Sequence, residues 1–128
     1  MPTRNEYYNA ALKLFGENKH LDAIEQYKLA LADDADWTEG LHGLAMAQMH
    51  AKLLDDAINT GLRIVELDKE DPFAHTSLSM FYMRKGMIEE AEKESAKARM
   101  VSWKLELKTN PDAKPPGPVG SMNILDND

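Results

Sequence analysis

A step of 34 residues constrains this chain more than any other feature. Ala23, Ala57 and Ala91 stand one step apart, and each follows an acidic residue: Asp22, Asp56 and Glu90. Other columns keep the same phase. Ala10, Leu44 and Leu78 form one, and Ala11, Ala45 and Ser79 form a column of small residues. Phe15, Met49 and Met83 are large and apolar throughout, and Ala30, Ile64 and Ala98 complete the set. Columns in phase describe one supersecondary unit repeated three times. Such a unit buries its apolar face only by stacking on its neighbours.

Within each unit the apolar spacing is helical. Tyr7, Ala10, Ala11 and Leu14 fall on one face at i, i+3, i+4 and i+7, and Ala23, Tyr27 and Ala30 do the same in the next segment. No segment alternates as a strand does. Asn18 and Gly86 fall between paired helices, and both residue types tolerate the left-handed conformation at a helix end. Asp71-Pro72 supplies a cap followed by a proline at the first helical position. The pattern predicts six antiparallel helices over 4–17, 20–33, 37–51, 54–67, 72–85 and 88–107. The residues after 108 differ. Pro111, Pro115, Pro116 and Pro118, with Gly117 and Gly120, cannot continue a helix. Residues 109–128 are expected to form an extended tail of polyproline character against the domain surface.

Composition narrows the function. The chain has 128 residues, enough for one domain with its own core, and carries 22 acidic against 15 basic side chains for a net charge of -7. An acidic balance argues against nucleic-acid binding, which needs phosphate neutralisation. There is no cysteine, which removes disulfides, thiolate metal sites and cysteine nucleophiles. No apolar run approaches the ~18 residues of a membrane helix, so membrane insertion is not expected. The opening Met-Pro-Thr-Arg-Asn-Glu lacks the apolar centre of a secretion signal, and the expected location is the cytoplasm.

These residues resemble the tetratricopeptide repeat family, a 34-residue helix–turn–helix. The first unit carries the resemblance through Tyr7, Ala10-Ala11, Leu14, Ala23, Tyr27 and Ala30. The second does so through Leu41, Leu44-Ala45, Ala57 and Ile64, and the third through Leu78-Ser79, Tyr82, Ala91 and Ala98. Gln48 departs from the pattern where an aromatic is usual, as do Gly61 and Ser95 at the place Tyr27 occupies. The resemblance implies an all-α, right-handed superhelical stack of three units, about 4–37, 38–71 and 72–108. It makes residues 1–108 one repeat domain followed by the Pro/Gly-rich tail. It also implies a binding scaffold, not an enzyme.

In such arrays the first helix of each pair lines a concave groove. The resemblance places Tyr8, Leu12 and Phe15 there from the first unit, beside Asn5. His42, Met46 and Met49 come from the second, with Glu39 and His50, and Phe73, Met80 and Met83 from the third, with Thr76 and Arg84. Four of the eight methionines are in this set, which suits adaptable apolar contacts. The expected ligand is a protein or peptide segment that is apolar or amphipathic. Some of these methionines are equally open to packing within the stack. On the groove reading, Met49→Glu abolishes binding and leaves the fold intact. Chaperone-binding family members hold a terminal carboxylate with Lys, Asn and Arg side chains. The matching places here hold Tyr8, Leu12, Gly43, Phe73 and Ser77, so a carboxylate clamp is not expected.

The last helix carries a second apolar stripe, Met100, Trp103 and Leu107. The tail, a second subunit or a partner protein could each cover it. Self-association through Trp103 and the tail is therefore the alternative function. The tail's Met122, Ile124 and Leu125 form a short apolar anchor or a frayed end. Basic Lys97, Arg99, Lys104 and Lys108 surround Trp103, diluted by Glu94 and Glu106. Catalytic chemistry finds little support. No nucleophile motif or phosphate loop is present, and no cofactor is expected. The acidic residues Glu25, Asp55, Asp56, Glu89, Glu90, Glu92 and Glu94 read as a solvated face. His42, Met46, Met49 and His50 have ligand types suited to copper(I), but theirs is also the spacing of an ordinary helix stripe, and no metal site is assigned.

Overall fold

The computed structural model describes residues 2–117. They form α1 (Arg4–Gly16), α2 (His20–Ala32), α3 (Thr38–His50), α4 (Leu54–Leu67), α5 (Pro72–Lys85) and α6 (Ile88–Leu107). No strand occurs among the described residues. Every helix bound lies within one residue of the sequence expectation. The chain separates into two compact units, Met1–Lys69 with α1 to α4 and Glu70–Asp128 with α5 and α6.

In the first unit α1 packs on α2, α2 on α3 and α3 on α4. The alanine columns explain how closely. Ala11, Ala23, Ala30 and Ala57 are fully buried, and Ala45 and Ile64 are 1 % exposed. A residue without a bulky side chain lets helix axes approach, and the large neighbours fill the space around it. Gln48, off the aromatic pattern, is also buried. Its Oε1 accepts a hydrogen bond from Thr60 Oγ1 at 2.7 Å, so α3 and α4 are joined by a polar contact there.

The three hairpin turns share one geometry. Asn18, Lys52 and Gly86 take φ of 62°, 66° and 84°. The next amide in each case donates back into the helix: Lys19 N to Leu14 O at 2.9 Å, Leu53 N to Gln48 O at 2.8 Å, and Met87 N to Tyr82 O at 2.8 Å. This is the Schellman arrangement, which satisfies the last carbonyls and reverses the chain. Asn18 and Gly86 conform to expectation, whereas Lys52 is a residue for which the conformation is costly. At helix starts, Thr3 and Glu6 form a capping box on α1, and Asp71 caps α5 by accepting from Phe73 N and Ala74 N.

In the second unit α5 packs on α6 around Ala74, Leu78, Phe81, Ala91 and Ala98. Ser79 Oγ donates to Ala91 O at 2.8 Å across the pair. Glu94 corrects the expectation of a wholly solvated acidic face. Glu25, Asp55, Asp56, Glu89 and Glu92 are exposed, but Glu94 is buried beside His75, with Nδ1 and Oε2 at 3.3 Å. Lys97 Nζ approaches the same oxygen at 3.4 Å. Helix α6 turns Glu94 inward because His75 offers it a partner within the α5–α6 contact.

The chain beyond α6 begins with turns instead of an extended run. Asn110 N donates to Glu106 O at 2.8 Å and Ala113 N to Asn110 O at 3.0 Å, which folds it back along α6. The anchor Met122, Ile124 and Leu125 lies outside the described residues.

Candidate functional site

Tyr8, Leu12 and Phe15 follow one another at i, i+4 and i+7 along α1, and His42 and Met46 stand at i and i+4 on α3. The structure brings these five side chains together around a groove of about 460 Å3 within the first unit. Tyr27, Glu39 and Gly43 complete its lining. Leu12 is 45 % exposed, an apolar side chain left open to solvent.

The floor is built by a tyrosine seated on a glycine. Tyr27 of α2 is 2 % exposed and its ring lies directly over Gly43 of α3, where an added Cβ would overlap ring atoms. Only glycine leaves room for the ring. Burial raises the Tyr27 phenol above its ordinary value, and the nearby Tyr8 phenol adds to the rise. Tyr8 packs edge-to-face on Tyr27, with centroids 5.8 Å apart, and on Trp37 at 4.9 Å. Arg4 sits 4.0 Å from the Trp37 ring centre and pairs with Asp34 at 2.8 Å. Tyr8 is thereby fixed from two sides before any ligand arrives. Sequence reasoning missed Trp37 and Gly43 as structural parts of this wall. The signal for Gly43 was its place opposite Tyr27, one helix on.

Phe15 forms the other end. Its ring meets His20 and His50 edge-to-face at 5.1 Å each, and the two imidazoles stack at 5.0 Å. His50 therefore belongs to a ring cluster behind Phe15. Met49 is 4 % exposed. That corrects its assignment to the groove surface: it packs in the interior, and Met49→Glu would bury a charge instead of blocking a ligand. Met49 is thus enclosed, His42 and Met46 line the groove, and His50 is exposed and stacks on His20. No group of three or more His, Cys, Asp or Glu is placed to hold a metal ion among the described residues.

The remaining expected contacts belong to α5 in the second unit. Phe73 is 72 % and Met83 50 % exposed, and Met80 is half-buried. On α6, Met100 is 40 % exposed, with Trp103 and Leu107 half-buried. Trp103 Nε1 donates to Ala113 O at 3.0 Å, so the chain's own return segment engages the indole. The tail was one of the three coverings open from the sequence, and its first residues make this contact. No helix among the described residues is long and apolar enough to cross a membrane.

No protein-family model matches the sequence, and no curated protein matches it. Solved structures do. The type III secretion translocator chaperone SycD of Yersinia enterocolitica aligns with a TM-score of 0.75 and 20 % identity, over 83 % of this chain and 80 % of SycD. SycD in complex with a peptide of the translocator YopD aligns at 0.73 and 21 %, over 82 % and 81 % of the two chains. MamA aligns at 0.77 and 21 %, over 81 % of this chain and 61 % of MamA. The six-helix fold is thus that of the tetratricopeptide-like helical repeats.

Proposed function

We propose that this chain is a peptide-binding module whose α1–α3 groove takes apolar side chains of a partner segment. The observation that carries the reading is a concave, largely apolar surface with a rigid aromatic floor, formed by Tyr8, Leu12, Phe15, His42 and Met46. Tyr8 and Tyr27 are held by neighbouring rings, so little ordering is needed on binding. Met46 and Leu12 supply adaptable apolar contact. SycD, which shares the fold, has been solved with a translocator peptide bound, and this supports peptide recognition over catalysis for the present chain. Phe73, Met80 and Met83 of α5 are proposed as further apolar contacts of the same module.

Selection of random nonapeptides on the full chain tests the reading. The expected outcome is enrichment of sequences with one or two large apolar residues. Met46→Glu should weaken the selected peptides at least about tenfold while the helical circular dichroism is retained. Binders indifferent to both Met46→Glu and Leu12→Asp would place the recognition surface elsewhere.

Self-association through α6 is the second reading, supported by Met100 at 40 % and Leu105 at 37 % exposure. Light scattering of the full chain and of Met100→Glu decides it. A dimer that becomes monomeric on substitution supports it, and a monomer at all concentrations removes it.

A further inference from the structure

The lining of the α1–α3 groove is apolar and aromatic along most of its length and acidic at one end. Glu39, in the first turn of α3, is the only Asp, Glu, Lys or Arg side chain on that lining. It is exposed, and no hydrogen bond or ion pair engages its carboxylate among the described residues. Two basic residues of the same unit are already committed: Arg4 pairs with Asp34 at 2.8 Å, and Arg63 pairs with Asp36. From 29 to 51 the chain holds Asp33, Asp34, Asp36 and Glu39 and no Lys or Arg. The groove therefore ends in a carboxylate that the described part of the chain does not neutralise.

The two ends are unlike. Tyr8 meets Trp37, the residue that precedes α3, at 4.9 Å, so the Tyr8 end is also the Glu39 end. Phe15 meets His50, the last residue of α3, at 5.1 Å, so the far end is aromatic. Leu12 and Met46 lie between them along α1 and α3. Glu39 and Met46 are two helical turns apart, about 10 Å along the axis. Tyr8 is half-buried, so part of its side chain stays open beside Glu39.

We infer that the groove takes a segment in which a Lys or Arg accompanies the large apolar residues, its cation seated at the Tyr8–Glu39 end. The inference rests on the peptide-binding reading of this groove and adds the charge and direction of the partner. A wholly apolar segment would strip water from the Glu39 carboxylate and return nothing for it. An acidic one would be repelled. A basic side chain restores a partner to the carboxylate, and the aromatic side chain of Tyr8 adds attraction for the cation. An exposed ion pair contributes little raw affinity, but it selects among partners and fixes their register. The apolar residues of the segment then run from Leu12 and Met46 toward Phe15.

The test repeats the nonapeptide selection in parallel on the full chain, on Glu39→Gln and on Glu25→Gln. Glu25 is exposed on α2 and outside the groove lining, so the two variants lose the same charge in different places. Large apolar residues should be enriched on all three. Lys and Arg should be enriched with them on the full chain and on Glu25→Gln, and not on Glu39→Gln. One selected nonapeptide is then made with its basic residue and with glutamine in its place, and both are titrated by fluorescence anisotropy. The basic form should bind the full chain about three- to tenfold tighter. That difference should vanish in Glu39→Gln and persist in Glu25→Gln. Salt at about 0.5 M should narrow it in the unaltered chain, a reading that needs no variant. Apolar enrichment without basic residues overturns the inference and leaves the peptide-binding reading standing. A basic preference that survives Glu39→Gln, or is lost equally in Glu25→Gln, overturns it too. Apolar binders indifferent to Met46→Glu and Leu12→Asp remove the groove reading, and the inference with it.

Discussion

Lys52 holds a backbone conformation that its side chain disfavours. Its φ of 66° sits at the place where the other two hairpins have Asn18 and Gly86. Left-handed backbone costs a non-glycine residue roughly 1–2 kcal/mol, part of which glycine returns as chain entropy in the unfolded state. Lys52→Gly is expected to stabilise the chain by about 0.5–1 kcal/mol, read as a higher urea midpoint with unchanged slope. Gly43 is the converse case. Its missing Cβ is where the Tyr27 ring lies, and Gly43→Ala should destabilise by about 1–3 kcal/mol in the same assay. At Gly16, where a Cβ would meet nothing within 4 Å, alanine should carry no such penalty. Both informative positions are glycine or turn positions, and repeat spacing marks where they fall without revealing which residue bears strain.

At the level of the helices, the sequence told most of what there was to tell. The alanine columns and the caps fix where each helix starts, stops and packs, because burial at a fixed step leaves little freedom. Side-chain partners across a helix pair were less legible. Glu94 belongs to an acidic stretch and reads as solvated, yet it turns inward because His75 sits opposite it on α5. That relation joins residues 19 apart and follows no single-helix pattern. Met49 likewise occupies a groove-like place in the spacing but is enclosed. Tyr8, Leu12, Phe15, His42 and Met46 were legible through the family resemblance, which places them on the first helix of each pair, and all five line one groove. The pair on α5 and α6 is testable. Glu94→Ala strands the buried His75 ring nitrogen and should cost about 1–3 kcal/mol in urea unfolding. Exposed Glu92→Ala, two residues away, should stay within about 0.5 kcal/mol.

For the whole molecule, the pH dependence of stability gathers these local effects. Burial raises the Tyr27 and Tyr82 phenols above their ordinary value of 10.0. A raised value means that the fold prefers the protonated phenol. The contribution is complete below about pH 10, the unfolded value, and is lost as pH climbs through the folded value. Alkaline unfolding is therefore expected to begin above pH 10. Tyr27→Phe should leave stability at pH 7 nearly unchanged and flatten the fall above about pH 10, in urea midpoints taken from neutral into alkaline pH.

Repeats invite the idea that their members are exchangeable parts. The seat of Tyr27 on Gly43 says otherwise for the first two hairpins. One step along, the tyrosine's place is held by Gly61, and the glycine's place by Ser77. Tab and slot thus occur once, in a single order. An engineered array made by copying α3–α4 behind itself would set Gly61 against Gly43 and leave a hole where the phenol ring belongs. The first hairpin is in this sense addressed to the second, and the chain can be lengthened or shuffled only at joints that carry no such address.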